Sequence, residues 1–197
     1  MRMAIVTAVT ASRRIMIEPY SEHWPSEFAT AASLLREALG HVAMRIDHIG
    51  STSVPGLAAK DVIDIQVGVA DLDDPRLVPA FEQLGATATD MTADHVPPGD
   101  QSPASAWEKR YFHPPALWRP THLQVRAMGR SNFRYALLFR DYLRHSTSAA
   151  AAYVQVKVAL ARLHPDDVEA YYDVKNPVCD LIMDAAERWA TDVAWSP

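Results

Sequence analysis

The stretch 62–69 is the most constraining feature of this 197-residue sequence. It is apolar and β-branched at most positions, which is typical of a strand covered on both faces of a sheet. One ionisable residue, Asp64, interrupts it, and Gln66 lies two residues on and therefore on the same face. A buried, ionised carboxylate requires a bound cation or donated hydrogen bonds. The stretch therefore predicts a central strand whose Asp64 is either a metal ligand or a strand-end carboxylate bonded to backbone amides.

The patterns around this strand predict an α+β fold. Short β-type runs separated by turns occupy the first two thirds of the chain, and helical spacing dominates the last third. The other predicted strands are 43–49, 109–112 and 119–126, and the predicted helices are 26–39, 77–84, 132–144, 149–163, 168–174 and 178–189, with Pro165 and Pro177 as breaks. Residues 90–106 predict a long, mobile loop. We expect a flexible N-terminus over 1–12, one domain over 13–190 and a tail over 191–197.

Composition excludes several classes of protein. The net charge of −5 gives no overall attraction to nucleic acid, and no stretch approaches the 18 apolar residues of a membrane span. The single cysteine, Cys179, excludes an internal disulfide and a cysteine zinc cluster, and it is typical of a small core residue. We therefore expect a cytoplasmic protein.

The segment 50–56, Gly-Ser-Thr-Ser-Val-Pro-Gly, follows a predicted strand and suits anion binding. Gly50 lets the backbone approach a ligand, and the hydroxyls of Ser51, Thr52 and Ser53 add donors. Lys60 follows as a counter-charge. The segment is not a P-loop, because the sequence contains no Gly-Lys-Ser or Gly-Lys-Thr. The two interpretations are a phosphate-binding turn and a surface turn of small residues.

Several motifs together resemble the GrpB family of the nucleotidyltransferase superfamily. They are DHIGSTSVPGL at 47–57, KDVIDI at 60–65, LFRDYLR at 138–144, and the pair Tyr153 and Lys157. The resemblance runs over 17–186, and it extends to the GrpB-like domain fused behind some bacterial dephospho-CoA kinases.

The resemblance implies a nucleotidyltransferase-like mixed sheet, with a Gly-Ser turn at the nucleotide phosphates and carboxylates on neighbouring strands for divalent metal. Here Gly50-Ser51 and Asp64 match, whereas Gln66 stands where a second carboxylate belongs, and 119–126 offers His122 and Gln124 but no acid. Mg²⁺ or Mn²⁺ on Asp64, Gln66 and His122 is the metal site that this pattern predicts, although Mg²⁺ prefers charged oxygen ligands.

Two further hypotheses concern histidines and cations. His48, Asp64 and His122 together suit a metal that takes imidazole and carboxylate ligands. Lys109, Arg110 and Arg140 are candidates for binding a ligand phosphate, with a solvated edge strand or a structural salt bridge as the alternative explanation. Which alternative holds is not decided by the sequence.

The leading functional hypothesis is a protein that binds a nucleotide, such as a nucleotide triphosphate, or another phosphate-bearing small molecule and, as an enzyme, transfers a nucleotidyl group to a small acceptor. Ser51 and nearby amides then hold phosphate, Asp64 holds metal, and Lys60 or Lys109 neutralises charge. The rival is a non-catalytic binding or folding-accessory module that has lost the metal carboxylates. A third hypothesis is a hydrolase or ligase that uses His48 and His122 as acid and base.

Overall fold

The computed structural model describes residues 14–197, so the N-terminal segment 1–12 lies outside the described residues. It contains a five-stranded sheet in the order β1-β2-β5-β4-β3. The strands are β1 Arg45–Ile49, β2 Ile63–Val69, β3 Thr87–Ala88, β4 Arg110–His113 and β5 Thr121–Ala127. β2 and β5 pair in parallel and the other neighbours pair antiparallel. The prediction of an α+β fold with a mixed sheet is confirmed.

One face of the sheet is covered by two helices, α1 Trp24–Leu39 and α2 Leu77–Gln83. Leu35 and Phe81 from these helices pack in one buried cluster with Ile65 of β2. Alternate residues of β2 and its neighbours join this cluster because successive side chains of a strand point to opposite faces. The sheet therefore carries its main apolar core on this face.

Three helices follow the sheet: α3 Ser131–His145, α4 Thr147–Leu163 and α5 Val168–Asp192. They pack on one another around a second buried cluster that includes the turn after β1, with members Val54, Leu57, Leu138, Leu143, Tyr153, Cys179 and Met183. The side chain of Gln66 donates to the backbone carbonyl of Phe133 at 3.3 Å, so α3 also contacts β2. None of the helices within 14–197 combines the length and apolar character of a bilayer span.

α5 is one continuous helix, whereas the sequence predicts a break at Pro177. Its buried side chains continue on both sides of the proline, at Tyr171, Cys179 and Met183. Burying each large apolar side chain contributes about 2 kcal/mol, so together they offset the roughly 3 kcal/mol cost of an internal proline. α5 also runs two residues into the predicted tail, where the Trp195 indole donates to Asp141 at 3.2 Å.

The predicted loop 90–106 contains no regular helix or strand apart from a 3₁₀ turn that begins at Ala104 and ends at Trp107. Its Asp94 accepts bonds from Lys109 and Arg126 at 2.7 Å each, and His95 contacts Asp180 of α5 at 2.8 Å. The loop therefore has polar rather than apolar anchors. Its mobility stays a prediction.

Replacement of Pro177 tests the continuity of α5. Pro177→Ala restores a backbone donor inside the helix, so we expect the free energy of unfolding to rise by about 2 kcal/mol in urea denaturation. Asn176→Ala is the matched neighbour, and we expect it to change stability by less than about 1 kcal/mol. A Pro177→Ala protein that is less stable than wild type would show that the helix ends at this position.

Candidate functional site

The turn after β1 lies directly against Asp64. Gly50 adopts a positive φ of 69°, a conformation that favours glycine, and a Cβ at this position would overlap the Asp64 carboxylate. Ser53 closes the turn, because its hydroxyl donates to the Gly50 carbonyl at 2.6 Å. Glycine at position 50 is therefore what allows the turn to pack against the carboxylate of β2.

Asp64 and His122 form a contact pair across β2 and β5. They lie opposite each other in the parallel register, and His122 Nδ1 is 2.7 Å from Asp64 Oδ1. Burial by itself raises the pKa of Asp64, but the charge and hydrogen bond of His122, with the charges of Lys175 and Lys60, hold it below its ordinary value. Asp64 is therefore an ionised carboxylate among cationic groups.

Lys157 of α4 reaches this turn from behind. Its side chain is buried, with 2% of its surface exposed, and Nζ donates to Ser51 Oγ at 3.0 Å and to the Ala58 carbonyl at 2.6 Å. Within the described residues no carboxylate forms an ion pair with it. Burial, and after it the charge of Lys175, lowers the pKa of Lys157 to about 7. The turn thus faces a buried amine without a partner anion.

Two more lysines meet at Tyr172 of α5. Lys60 Nζ donates to the Tyr172 hydroxyl at 2.8 Å and lies 4.6 Å from the centre of its ring. Lys175 Nζ lies 5.4 Å from the centre of the same ring. The charges of both lysines act on Asp64 and on Lys157. We define the phosphate cleft, named for the ligand that is proposed below, as Ser51, Lys60, Asp64, His122, Lys157, Tyr172 and Lys175.

Sequence reasoning placed Ser51, Lys60, Asp64 and His122 in this region but did not assign Lys157, Tyr172 or Lys175 to it. Lys157 appeared in the family motif, and that motif was the available signal for it. Lys175 and Tyr172 come from the segment around Pro177 that was predicted to break. The contact of Tyr172 with Lys60 spans 112 residues of sequence, and local patterns do not report such a contact.

The Arg126 guanidinium contacts Gln66 and Gln124, which stand where the family resemblance implies further metal ligands. Arg126 lies at the end of β5, and its guanidinium donates from Nη1 to Gln66 Oε1 at 2.7 Å and from Nη2 to Gln124. Its Nε donates to Asp94 at 2.7 Å, and Lys109 binds the same carboxylate. Burial raises the pKa of Asp94, but these two cations together lower it to about 2. The loop thus supplies Asp94 as the counter-ion of the Arg126 guanidinium.

The donor set does not fit a two-metal cluster. Gln66 and Gln124 offer neutral oxygens that already accept from Arg126. A divalent ion about 4 Å from that guanidinium meets a repulsion of about 8 kcal/mol at an effective dielectric constant of about 20. Among residues 14–197, no three His, Cys, Asp or Glu side chains converge as metal ligands. The remaining predicted ligands, Asp64 and His122, bind each other.

His48 is separated from Asp64 and His122 by the sheet. It pairs with Ile65 in the antiparallel register, and Asp64 pairs with Ile49, so their side chains point to opposite faces. The imidazole stacks on Phe28 of α1 with ring centres 4.7 Å apart, and Nε2 is 3.0 Å from Thr52 Oγ1. The hypothesis that His48 shares a pocket with Asp64 and His122 is therefore wrong, because the His48 side chain lies on the opposite face of the sheet.

The other predicted ligand-binding groups have partners within the fold. Thr52 donates to the Val62 carbonyl at 3.2 Å, and Arg110 pairs with Asp73. Arg140 donates from Nη1 to the His48 carbonyl at 3.1 Å and pairs with Asp141 at 2.7 Å. The contacts of Thr52 and Arg140 hold the turn and the end of β1, whereas the Arg110 pair joins β4 to the segment after β2.

The fold and site define an α+β protein in which a Gly-Ser turn, a strand carboxylate and lysines of two later helices meet beside a mixed sheet. The chain belongs to the GrpB family, whose sequence pattern, described as GrpB protein, matches residues 14–185. It is 35% identical over 173 residues to the UPF0157 protein BH1888 of Halalkalibacterium halodurans, covering 87% of this chain and 82% of that protein.

The family resemblance inferred from the motifs is thereby confirmed, and two further proteins support it. The chain is 33% identical over 213 residues to the dephospho-CoA kinase of Mycolicibacterium paratuberculosis, covering 97% of this chain and 50% of that protein. It thus spans about half the length of the dephospho-CoA kinases it matches. The crystal structure of the conserved protein GrpB from Enterococcus faecalis superimposes with a TM-score of 0.68 at 26% identity, over 88% of this chain and 99% of that chain.

The placement of His48 makes stability depend on pH. Burial lowers its pKa from 6.5 to about 4, so the folded state binds fewer protons than the unfolded state between these values. The stabilisation is complete above pH 6.5 and is lost as the pH falls to 4, by about 3 kcal/mol in total. We expect His48→Gln to remove most of this loss in urea denaturation measured from pH 7 to pH 4.

The control is the exposed His113, where His113→Gln is expected to retain the wild-type pH dependence. Equal pH dependence in wild type and His48→Gln would contradict the assignment.

Proposed function

We propose that this protein binds a phosphate-bearing small molecule, with nucleotides and coenzyme A as the leading candidates, in the phosphate cleft and without a divalent metal. The observation that carries this proposal is a cluster of three lysines around Asp64: Lys157 donates to Ser51 of the Gly-Ser turn, and Lys60 and Lys175 lie over the Tyr172 ring with their charges acting on Asp64. The proposed location is the cytoplasm, where such ligands are abundant. Neither a membrane nor a nucleic acid is part of the proposal.

The charge distribution supports an anionic ligand. Three lysines surround one carboxylate, Asp64, so the cleft carries surplus positive charge when the lysines are protonated. A buried ammonium without a partner anion is costly, and burial accordingly lowers the pKa of Lys157 to about 7 in the free protein. A phosphate oxygen at Ser51 supplies the missing charge and accepts strong, charge-assisted hydrogen bonds. Ligand binding therefore removes an unfavourable feature of the free protein.

The same geometry favours binding over nucleotidyl transfer. Two-metal transfer places cations on both the attacking and the leaving oxygen. Here the Arg126 guanidinium donates to Gln66 and Gln124, the two residues near Asp64 whose oxygens such cations would need as ligands. Similarity to half of a dephospho-CoA kinase agrees with a module that accompanies an enzyme. Transfer with Mg²⁺ or Mn²⁺ at Asp64 and His122 is the alternative, because that pair is partly exposed.

Calorimetry tests the binding itself. We expect ATP, GTP or CoA to bind the wild-type protein in EDTA, with an affinity that Mg²⁺ or Mn²⁺ does not increase. Lys60→Ala and Lys175→Ala should each weaken binding about tenfold, since each removes a charge-assisted contact worth about 1.5 kcal/mol. Arg188→Ala is the matched control, because Arg188 lies on α5 but pairs with Asp184. Loss of binding in EDTA, or unchanged affinity in both lysine variants, would contradict the proposal.

Asp64→Asn separates the proposal from metal-dependent transfer. The carboxylate repels a bound phosphate, and asparagine keeps its size while removing the charge. We therefore expect metal-free binding to be retained or tightened by up to about tenfold. A catalytic metal site predicts the opposite, because the cation would lose its only charged ligand. Binding that requires Mn²⁺ in wild type and disappears in Asp64→Asn would establish the alternative.

A further inference from the structure

We propose that the phosphate cleft is selective for the dianion of a phosphate monoester, and that Lys157 is the residue that confers this selectivity by completing its own hydrogen bonds on the ligand. This inference rests on the proposed function and narrows the ligand to molecules with a terminal phosphate. Nucleotide diesters and cyclic nucleotides, which lack a terminal phosphate, are the excluded class.

The first argument is the charge of the cleft. With Lys60, Lys157 and Lys175 protonated, Asp64 ionised and the His122 imidazole neutral, the formal charge of the cleft is +2. A phosphate monoester carries close to two negative charges above its second pKa of about 6, whereas a diester carries one. A partly buried cleft is most stable when its charges are balanced. The monoester dianion is the phosphate species whose charge balances the charge of this cleft.

The second argument is the count of donors on Lys157. An ammonium group has three N–H donors. Two are used, on the Ser51 hydroxyl and the Ala58 carbonyl, while the Tyr153 ring lies 4.6 Å from Nζ. Ser51 itself is only half-buried, so a ligand oxygen that reaches Ser51 also comes near the third donor. A terminal phosphate has three such oxygens and a diester has two.

The third argument concerns proton uptake. The groups that act on Lys157 come from every element around it: Lys175 and Cys179 of α5, Asp64 of β2, Lys60 before β2 and Tyr153 of α4. Burial, followed by Lys175, lowers the pKa of Lys157 to about 7. A bound dianion adds negative charge beside the amine and raises that pKa. At pH 8 the free protein therefore holds a largely neutral Lys157, and binding draws a proton from the solution.

Two ligand pairs test the selectivity in the wild-type protein. AMP and 3′,5′-cyclic AMP share a base and a ribose, but the phosphate of AMP is a monoester and that of cyclic AMP is a diester. CoA and dephospho-CoA differ by one terminal phosphate. In whichever pair binds, we expect the monoester, AMP or CoA, to bind at least tenfold more tightly than the other member of its pair at pH 8 in EDTA. Calorimetry in HEPES and in Tris, whose ionisation enthalpies differ, should show uptake of about one proton, and Lys157→Met should abolish both the uptake and the preference.

The outcomes separate this inference from the proposed function. Equal affinity for the two members of a pair overturns the inference and leaves phosphate binding intact. Failure of all four compounds, ATP and GTP to bind overturns both. Selectivity without proton uptake in wild type overturns the role of Lys157. The wild-type measurements need no variant, so they decide the matter even when Lys157→Met does not fold.

Discussion

The parallel register of β2 and β5 determines the chemistry of this protein. It sets Asp64 opposite His122 and Gln66 opposite Gln124, so that polar residues of two strands form one row on one face of the sheet. β1 pairs on the other side of β2 and delivers Gly50 at the end of that row. A shift of one residue would exchange the two faces and bury the row in the apolar core under α1. The remaining features of the site depend on this alignment.

Arg126 shows how a row of polar residues at the positions of metal ligands is stabilised by a positive charge of the protein itself. Its guanidinium links Gln66, Gln124 and Asp94, and therefore two strands and the loop before β4. A covalently attached cation needs no supply from solution and keeps one geometry. Its two hydrogen-bonded glutamine oxygens also lose the freedom to bind an ion. The position is thus suited to organising a cleft for an anion rather than to exchanging metals.

Much of the fold and part of the site were accessible from sequence. Periodicity predicts four of the five strands and most helices, because these depend on local spacing, whereas the two-residue strand β3 is too short to show a period. Gly50 and Asp64 were found because each breaks a local pattern. His48 was assigned to the wrong face, since strand alternation fixes relative faces but not which residues of two strands share one. Sequence patterns do not reveal the roles of Lys157 and Tyr172, because these roles arise from contacts with Ser51 and Lys60, 106 and 112 positions away.

The composition of the cleft has a consequence for how the chain acquires its function. The turn and the carboxylate come from the first third of the sequence, whereas Lys157 and Lys175 come from α4 and α5. Only a fragment that runs from the turn to α5 holds both sets, so the cleft exists only after α4 and α5 have docked. A ligand that needs both sets binds the native state alone and shifts the folding equilibrium toward it. Occupancy of the cleft thereby reports, to any partner that senses it, that the whole domain has folded.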